Sequence, residues 1–194
     1  MRRTESEPRP VAAGVRLESW SPTFARERLD DVMAVYRAAF LDVFESDPAR
    51  AAAERRAHVG AHLLRPDVTV LAAVDDADRL LGITYSVPGK RGIWWHDVVA
   101  AALPAEVAAD WMSDVLEVVE LHVRPEAQGT GTGRALLRAL LAATDARTAM
   151  LSALDDPTLP ARHLYAAEGF TPLLVGFRFP GSQTRYAVLG RRLR

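Results

Sequence analysis

The sequence predicts one mixed α/β domain, and three observations carry that prediction. Residues 115–123 form a β-branched, apolar run with acids interspersed, stopped by Pro125. Gly129, Gly131 and Gly133 follow, and Leu136, Leu137, Leu140 and Leu141 then recur at helical spacing, giving the order strand, glycine loop, helix. Short strand patterns alternate with helical ones on both sides of this unit, and no repeat, low-complexity tract or rich linker divides the 194 residues.

Each element has its own signal. Residues 1–12 are charged and Pro-containing with no apolar run behind them, so they read as a loose tail, not a signal peptide, and 13–194 read as the domain. Residues 15–20 alternate as a first strand. Ser21-Pro22-Thr23 marks a turn and helix start, after which Leu29, Val32, Met33, Val35, Tyr36 and Phe40 keep helical spacing. A second helix covers 48–64, with Asp47 as its cap before Pro48. Residues 68–74 form a buried strand, 75–78 a tight acidic turn, and 80–87 the hairpin partner that Pro88-Gly89 ends. The stretch 93–114 is less regular, opening as a loop with Trp94, Trp95, His96 and Asp97 before a short helix over 104–112. Beyond the central unit come a strand at 148–154, a loop at 155–160 and a helix at 161–168 that Gly169 ends. Residues 170–179 and 186–193 make a closing antiparallel pair.

Composition narrows the function. A net charge of -1 argues against a nucleic-acid partner held by phosphate contacts. No run approaches the roughly 20 apolar residues of a membrane helix, so a soluble, cytoplasmic protein without a membrane partner is expected. The absence of cysteine excludes disulfides, thiolate zinc sites and a cysteine nucleophile, and no other residues cluster as metal ligands. The high Ala, Arg and Leu content suggests a bacterial source.

The glycine loop is where chemistry enters. Glycine leaves its backbone N–H unobstructed, and these N–H groups face the positive end of the helix behind them, which suits a phosphate or pyrophosphate. An NTPase phosphate loop would place Lys after its last glycine, where Arg134 stands, and the dinucleotide spacing Gly-x-Gly-x-x-Gly fails from both Gly129 and Gly131. What Gln128-Gly129-Thr130-Gly131-Thr132-Gly133 does resemble, preceded by Glu120-Leu121-His122-Val123-Arg124-Pro125, is the Gln/Arg-x-x-Gly-x-Gly/Ala signature of the GCN5-related N-acetyltransferases (GNAT). Residues 161–170, Ala-Arg-His-Leu-Tyr-Ala-Ala-Glu-Gly-Phe, resemble the late Ala-x-x-Leu-Tyr-x-x-x-Gly-Phe helix of the same family.

The resemblance implies the GNAT acyl-CoA N-acyltransferase fold, a central mixed sheet flanked by helices. It also implies direct transfer of an acetyl group from acetyl-CoA, as co-substrate and without a metal, to an amine of a small molecule or peptide, and it leaves room for a homodimer. Glu120 is then the preferred base and Glu117 the second candidate; in a regular strand the two face opposite sides, unless the bulge that family members carry resets the parity. If either is partly buried, its pKa should rise toward neutrality. The competing reading of Glu120 is a strand acid paired with Arg124 or Arg162. Tyr165 matches the tyrosine that protonates the leaving thiolate. Backbone groups of Leu121, His122 and Val123 would meet the oxyanion and the pantetheine amides. The amides of Gly129, Thr130, Gly131, Thr132, Gly133 and Arg134 would hold the pyrophosphate, flanked by Gln128 and Arg134. Arg138, one turn further, is within reach of a nucleotide phosphate but reads as a solvated helix arginine. Thr158 stands where many members have a CoA-holding Asn, which weakens that contact. Trp94, Trp95 and Asp97 either wall an acceptor pocket or plug and cap the core. A non-catalytic acyl-CoA sensor on the same fold is the alternative.

Overall fold

The computed structural model describes residues 14–41 and 48–194, so the expected tail and the Asp47 cap lie outside the described residues. Among these residues seven strands form one sheet: β1 (Val15–Trp20), β2 (Thr69–Asp75), β3 (Leu80–Gly89), β4 (Val115–Val123), β5 (Thr148–Leu154), β6 (Thr171–Phe177) and β7 (Tyr186–Arg192). Their order across the sheet is β1-β2-β3-β4-β5-β7-β6. All neighbours are antiparallel except β4 and β5. A parallel pair needs a long crossover, and the helix after the glycine loop supplies it.

The helices are α1 (Pro22–Glu27), α2 (Leu29–Tyr36), α3 (Pro48–His62), α4 (Trp94–Ala102), α5 (Ala105–Met112), α6 (Thr132–Ala142) and α7 (Pro160–Ala167). Ser21 starts α1 as expected, its hydroxyl accepting the Phe24 N–H at 3.1 Å. A wide turn at Arg37–Leu41 carries α2 onward to Phe40. Two expectations need correction. The stop at Pro88-Gly89 comes late, since β3 runs through Gly89: a Cβ there would lie 2.6 Å from Val115 Cγ1, so only glycine lets β3 close on β4 at this point. The expected loop at Trp94–Asp97 is instead the first turn of α4, fixed by the Asp97 carboxylate accepting the Gly92 N–H at 3.0 and 3.1 Å.

Both faces of the sheet are covered. On one, Leu136, Leu137, Leu140 and Leu141 of α6 and Tyr165 of α7 pack on Leu116, Val118 and Val123 of β4. Full burial of each leucine side chain contributes about 1.5–3 kcal/mol. On the other, Val32, Val35 and Tyr36 of α2 and Val59 of α3 cover Ile83, Tyr85 and Val87 of β3. Beside them Val99 of α4 and Met112 of α5 cover Val115, Met150 and Val188.

Two irregularities in β4 open the middle of the sheet. Tyr85 of β3 faces Glu120, but its neighbour Ser86 faces Val118, so Val119 is an extra residue, a β-bulge. On its other edge β4 pairs with β5 only from Val115 to Glu117. Beyond that point the two strands part and leave a wedge, while β5 stays paired with β7 as far as Leu154.

Candidate active site

The wedge exposes backbone that a regular sheet would consume. Leu121, His122 and Val123 keep their β3 partners Thr84, Ile83 and Gly82, while their other edge faces the wedge. Just past them a short turn at Pro125–Ala127 leads into the glycine loop. Gly129 and Gly131 take φ values of 73° and 91°, and a Cβ at either would meet nothing within 4 Å. Glycine is therefore required there by conformation, and the loop faces open space. Gly131 caps α6 without a side chain, and the first amide bonded back is Ala135 N, to Gly131 O. The amides before it are the orphan donors of a helix start, at the positive end of its dipole, and they fit a diphosphate.

The two side chains expected to flank that anion are engaged elsewhere. Gln128 donates through Nε2 to Val123 O at 2.9 Å and pins the strand end to the loop. Arg134 turns toward Glu168, with Nε 3.1 Å from Oε1. Thr130 and Thr132 bond each other through their hydroxyls at 2.9 Å, with Thr130 also donating to Ala127 O.

The bulge decides how the carboxylates lie. With Val119 inserted, Leu116, Val118, Leu121 and Val123 pack toward α6 and α7, whereas Glu117, Glu120 and His122 share the face of α2 and α3. Both carboxylates are buried, at 5% and 8% exposure, yet their environments differ. Glu120 is bonded to His122 Nε2 at 2.6 Å and accepts from Arg55 at 3.1 Å. Burial alone would raise its pKa, but the His122 hydrogen bond and the Arg55 charge outweigh burial and hold it below the ordinary value. The expected rise therefore does not occur at Glu120. It does at Glu117, which has no hydrogen bond or ion pair among the described residues; burial lifts its pKa to about 7, against a small opposing pull from Arg65. The pairing of Glu120 with Arg124 or Arg162 is not observed: Arg124 donates to Leu80 O, and Arg162 to Leu154 O and Asp155.

Tyr165 lies on the other face of the sheet, in the cluster formed by the α6 leucines. It is 8% exposed, packed edge-on against Phe170. Burial raises its pKa, and so does the negative charge of Glu120. The phenol therefore stays protonated at neutral pH.

Sequence reasoning missed the rest of the wall. Arg55 of α3 lies over the Tyr36 ring at 5.4 Å; burial would lower its pKa, but Glu120 raises it. Tyr85 faces Glu120 across the β3–β4 pair, and its hydroxyl is hydrogen-bonded to His62 Nδ1 at 3.1 Å. Burial pushes the Tyr85 pKa up and that of His62 down, so the pair is neutral. None of these side chains neighbours the signature motifs in sequence. Trp95 donates Nε1 to Ser152 Oγ at 2.9 Å and packs on the core, while Trp94 is 58% exposed against Phe179, which is the plug-and-cap arrangement. Thr158 is exposed, and its hydroxyl donates to Asp156 Oδ1 at 2.7 Å. Among the described residues no group of three or more His, Cys, Asp and Glu is placed to hold a metal, and no helix is long and apolar enough to cross a membrane.

An anion loop, a parted parallel strand pair, buried carboxylates on one face of the sheet and a buried phenol on the other make this the candidate active site. Residues 67–172 match the family model described as an acetyltransferase (GNAT) domain, and the chain belongs to that family. It is 36% identical over 136 residues to the GCN5-like protein acetyltransferase Rv2170 of Mycobacterium tuberculosis, an alignment spanning 66% of each chain. The chain thus spans just under two thirds of that curated relative's length. Among solved structures it resembles a GNAT-family acetyltransferase from Streptococcus agalactiae, with a TM-score of 0.65, 12% identity, and coverage of 93% of this chain and 96% of that one. It also resembles a chain of the NatC complex bound to Gag peptide and CoA, with a TM-score of 0.61, 14% identity, and coverage of 93% and 99%. At these identities the structures speak for the fold, and the chain carries the acetyltransferase domain of the family its two motifs resemble.

Proposed function

We propose that the chain transfers an acetyl group from acetyl-CoA directly to an amine on a protein or peptide, with Glu117 as the base. The observation that carries this reading is the unpartnered, buried Glu117 carboxyl, whose pKa of about 7 stands beside the wedge. A base works best when its pKa lies near the working pH, and Glu117 meets that condition where the ion-paired Glu120 does not. The Rv2170 relative, named as a protein acetyltransferase, supports the acceptor class.

The chain's own residues then divide the work. The amides of Gly129, Thr130, Gly131, Thr132, Gly133 and Arg134 hold the diphosphate, and the wedge edge of Leu121 to Val123 offers backbone partners to the pantetheine and the thioester carbonyl. When bound, acetyl-CoA supplies the acyl group as an activated thioester. Glu120, kept anionic by His122 and Arg55, orients the incoming ammonium, and Glu117 takes its proton. Tyr165, held protonated by its burial, gives its proton to the departing thiolate.

Thiol release from acetyl-CoA, measured with a panel of lysine peptides, N-terminal peptides and small amines, tests the reading. Amine-dependent release that Glu117→Gln abolishes supports it. A melting-temperature shift with acetyl-CoA but no release with any amine would instead make the chain a sensor.

A further inference from the structure

Arg65 stands just past the end of α3, its N–H on His62 O at 3.0 Å, and Asp67 grips its side chain. Arg65 Nε lies 2.9 Å from Asp67 Oδ1 and Nη2 3.1 Å from Oδ2, a two-point fork, and Nη2 also donates to Pro88 O at 3.4 Å. Lys90 Nζ, 2.9 Å from Oδ2, is the second cation on the same carboxylate. We propose that Asp67 is a positioning residue for the acetyl transfer: by engaging Arg65 at two points it keeps that guanidinium off Glu117 and leaves the base without a counter-ion. The proposal rests on the reading of Glu117 as the base.

Strand register brings Arg65 to the base. Val87 faces Glu117 across the β3–β4 pair and Pro88 faces Leu116, so a guanidinium on Pro88 O stands one residue from the partner of Glu117. Arg65 is the one charged group among the described residues whose field bears on Glu117, where it pulls against burial. The other titratable groups on that face are engaged with one another: Arg55 and His122 with Glu120, His62 with Tyr85, and His96 of α4 with Met112 O. On the β5 side, Glu117 meets only the apolar Met150.

Two carboxylates thus compete for one largely buried guanidinium, whose side chain is 19% exposed. A buried charge stripped of its partner is costly, so Arg65 without Asp67 turns to the nearest unpaired carboxylate, Glu117. Asp67 prevails for local reasons. It is two residues away, beyond Pro66, which bars the helical conformation at Arg65, and its partial exposure makes its charge less costly to hold than one at Glu117. The Arg65 hydrogen bond and then that of Lys90 hold the Asp67 pKa at about 2 against its burial, so the grip persists across the whole range in which Glu117 titrates.

Carboxyl NMR titration of Glu117 in the full chain tests this, read beside the pH profile of acetyl transfer. Asp67→Asn keeps the shape of a partly exposed turn residue and removes its charge. The Glu117 midpoint should then fall by about one pH unit or more as Arg65 turns to it, and transfer should follow with an earlier step and a plateau roughly 3- to 10-fold lower. Asp67→Ser, a second route to the same loss of charge, should act alike. Adding Arg65→Gln to either variant should return the midpoint to the wild-type value or above, because the cation that moved is gone. A Glu117 midpoint unchanged in both Asp67 variants, or lowered as much with Arg65→Gln in place, would overturn the proposal while leaving Glu117 as the base. A midpoint that falls while the transfer profile stays fixed would support the hold of Asp67 on Arg65 but overturn Glu117 as the base, and with it the role of Asp67 in transfer.

Discussion

Glu117 and Glu120 lie on the same face of β4, three residues apart, because Val119 between them has no partner on β3. In an unbroken strand that spacing would send one of them into the leucines of α6. The bulge places two acids at one site, and their surroundings then separate their roles: His122 and Arg55 keep one charged, and burial keeps the other near its midpoint at about pH 7.

Folding stability should report the Glu117 environment directly. Its folded pKa of about 7 exceeds the ordinary 4.5, so between these values the native chain binds more protons than the unfolded one. Stability is then greatest below pH 4.5 for this group and falls as pH rises toward 7, by roughly 3 kcal/mol in all. Glu117→Gln should flatten that part of the stability profile and be the more stable form at pH 8, measured by urea unfolding across pH. A variant no more stable than wild type at pH 8 would speak against a raised pKa.

Tyr165→Phe keeps the ring that packs on Phe170 and removes only the hydroxyl. Turnover should fall by about 10²-fold or more, the usual weight of a general acid, with acetyl-CoA affinity unchanged. Equal turnover of the two proteins would take Tyr165 out of the chemistry.

Arg55→Met removes one of the two partners of Glu120. Because Arg55 is 40% exposed at its side chain, the loss of stability should be about 1 kcal/mol, well short of the ~3–5 kcal/mol of a fully buried pair. The Glu120 pKa should rise, measured by carboxyl NMR titration. A Glu120 pKa that stays put would assign its charged state to His122 alone.

Glu168→Ala leaves Arg134, Arg138 and Arg191 facing one another without their shared carboxylate. We expect a stability loss of about 1–2 kcal/mol, moderated because all three arginines are partly exposed. The loss should shrink as salt screens their repulsion, which a melting series in sodium chloride would show.

Much of this fold was legible because its signals are local. The leucine spacing of α6, the Ser21 start of α1 and the alternation in β1 each report on neighbouring residues, and strand β5 at Thr148–Leu154 matches its expected bounds. The glycine loop and Tyr165 were legible for the same reason, as compact motifs. Helix α4 was not, since Ile93 gives it no capping side chain and its first turn reads as a cluster of aromatics. The bulge at Val119 leaves no mark either, because Val118-Val119 is as good a strand pair with it as without. Arg55 meets Glu120 from 65 residues away, and only the packing of α3 on the sheet brings them together.

The pH dependence of acetyl transfer to a lysine peptide tests the assignment of the base most directly. Wild-type turnover should climb through a midpoint near pH 7 and level off above it, while Glu117→Gln should lose that step along with most of its rate. A step of the same midpoint and height in Glu117→Gln would contradict the account and move the proton to another group.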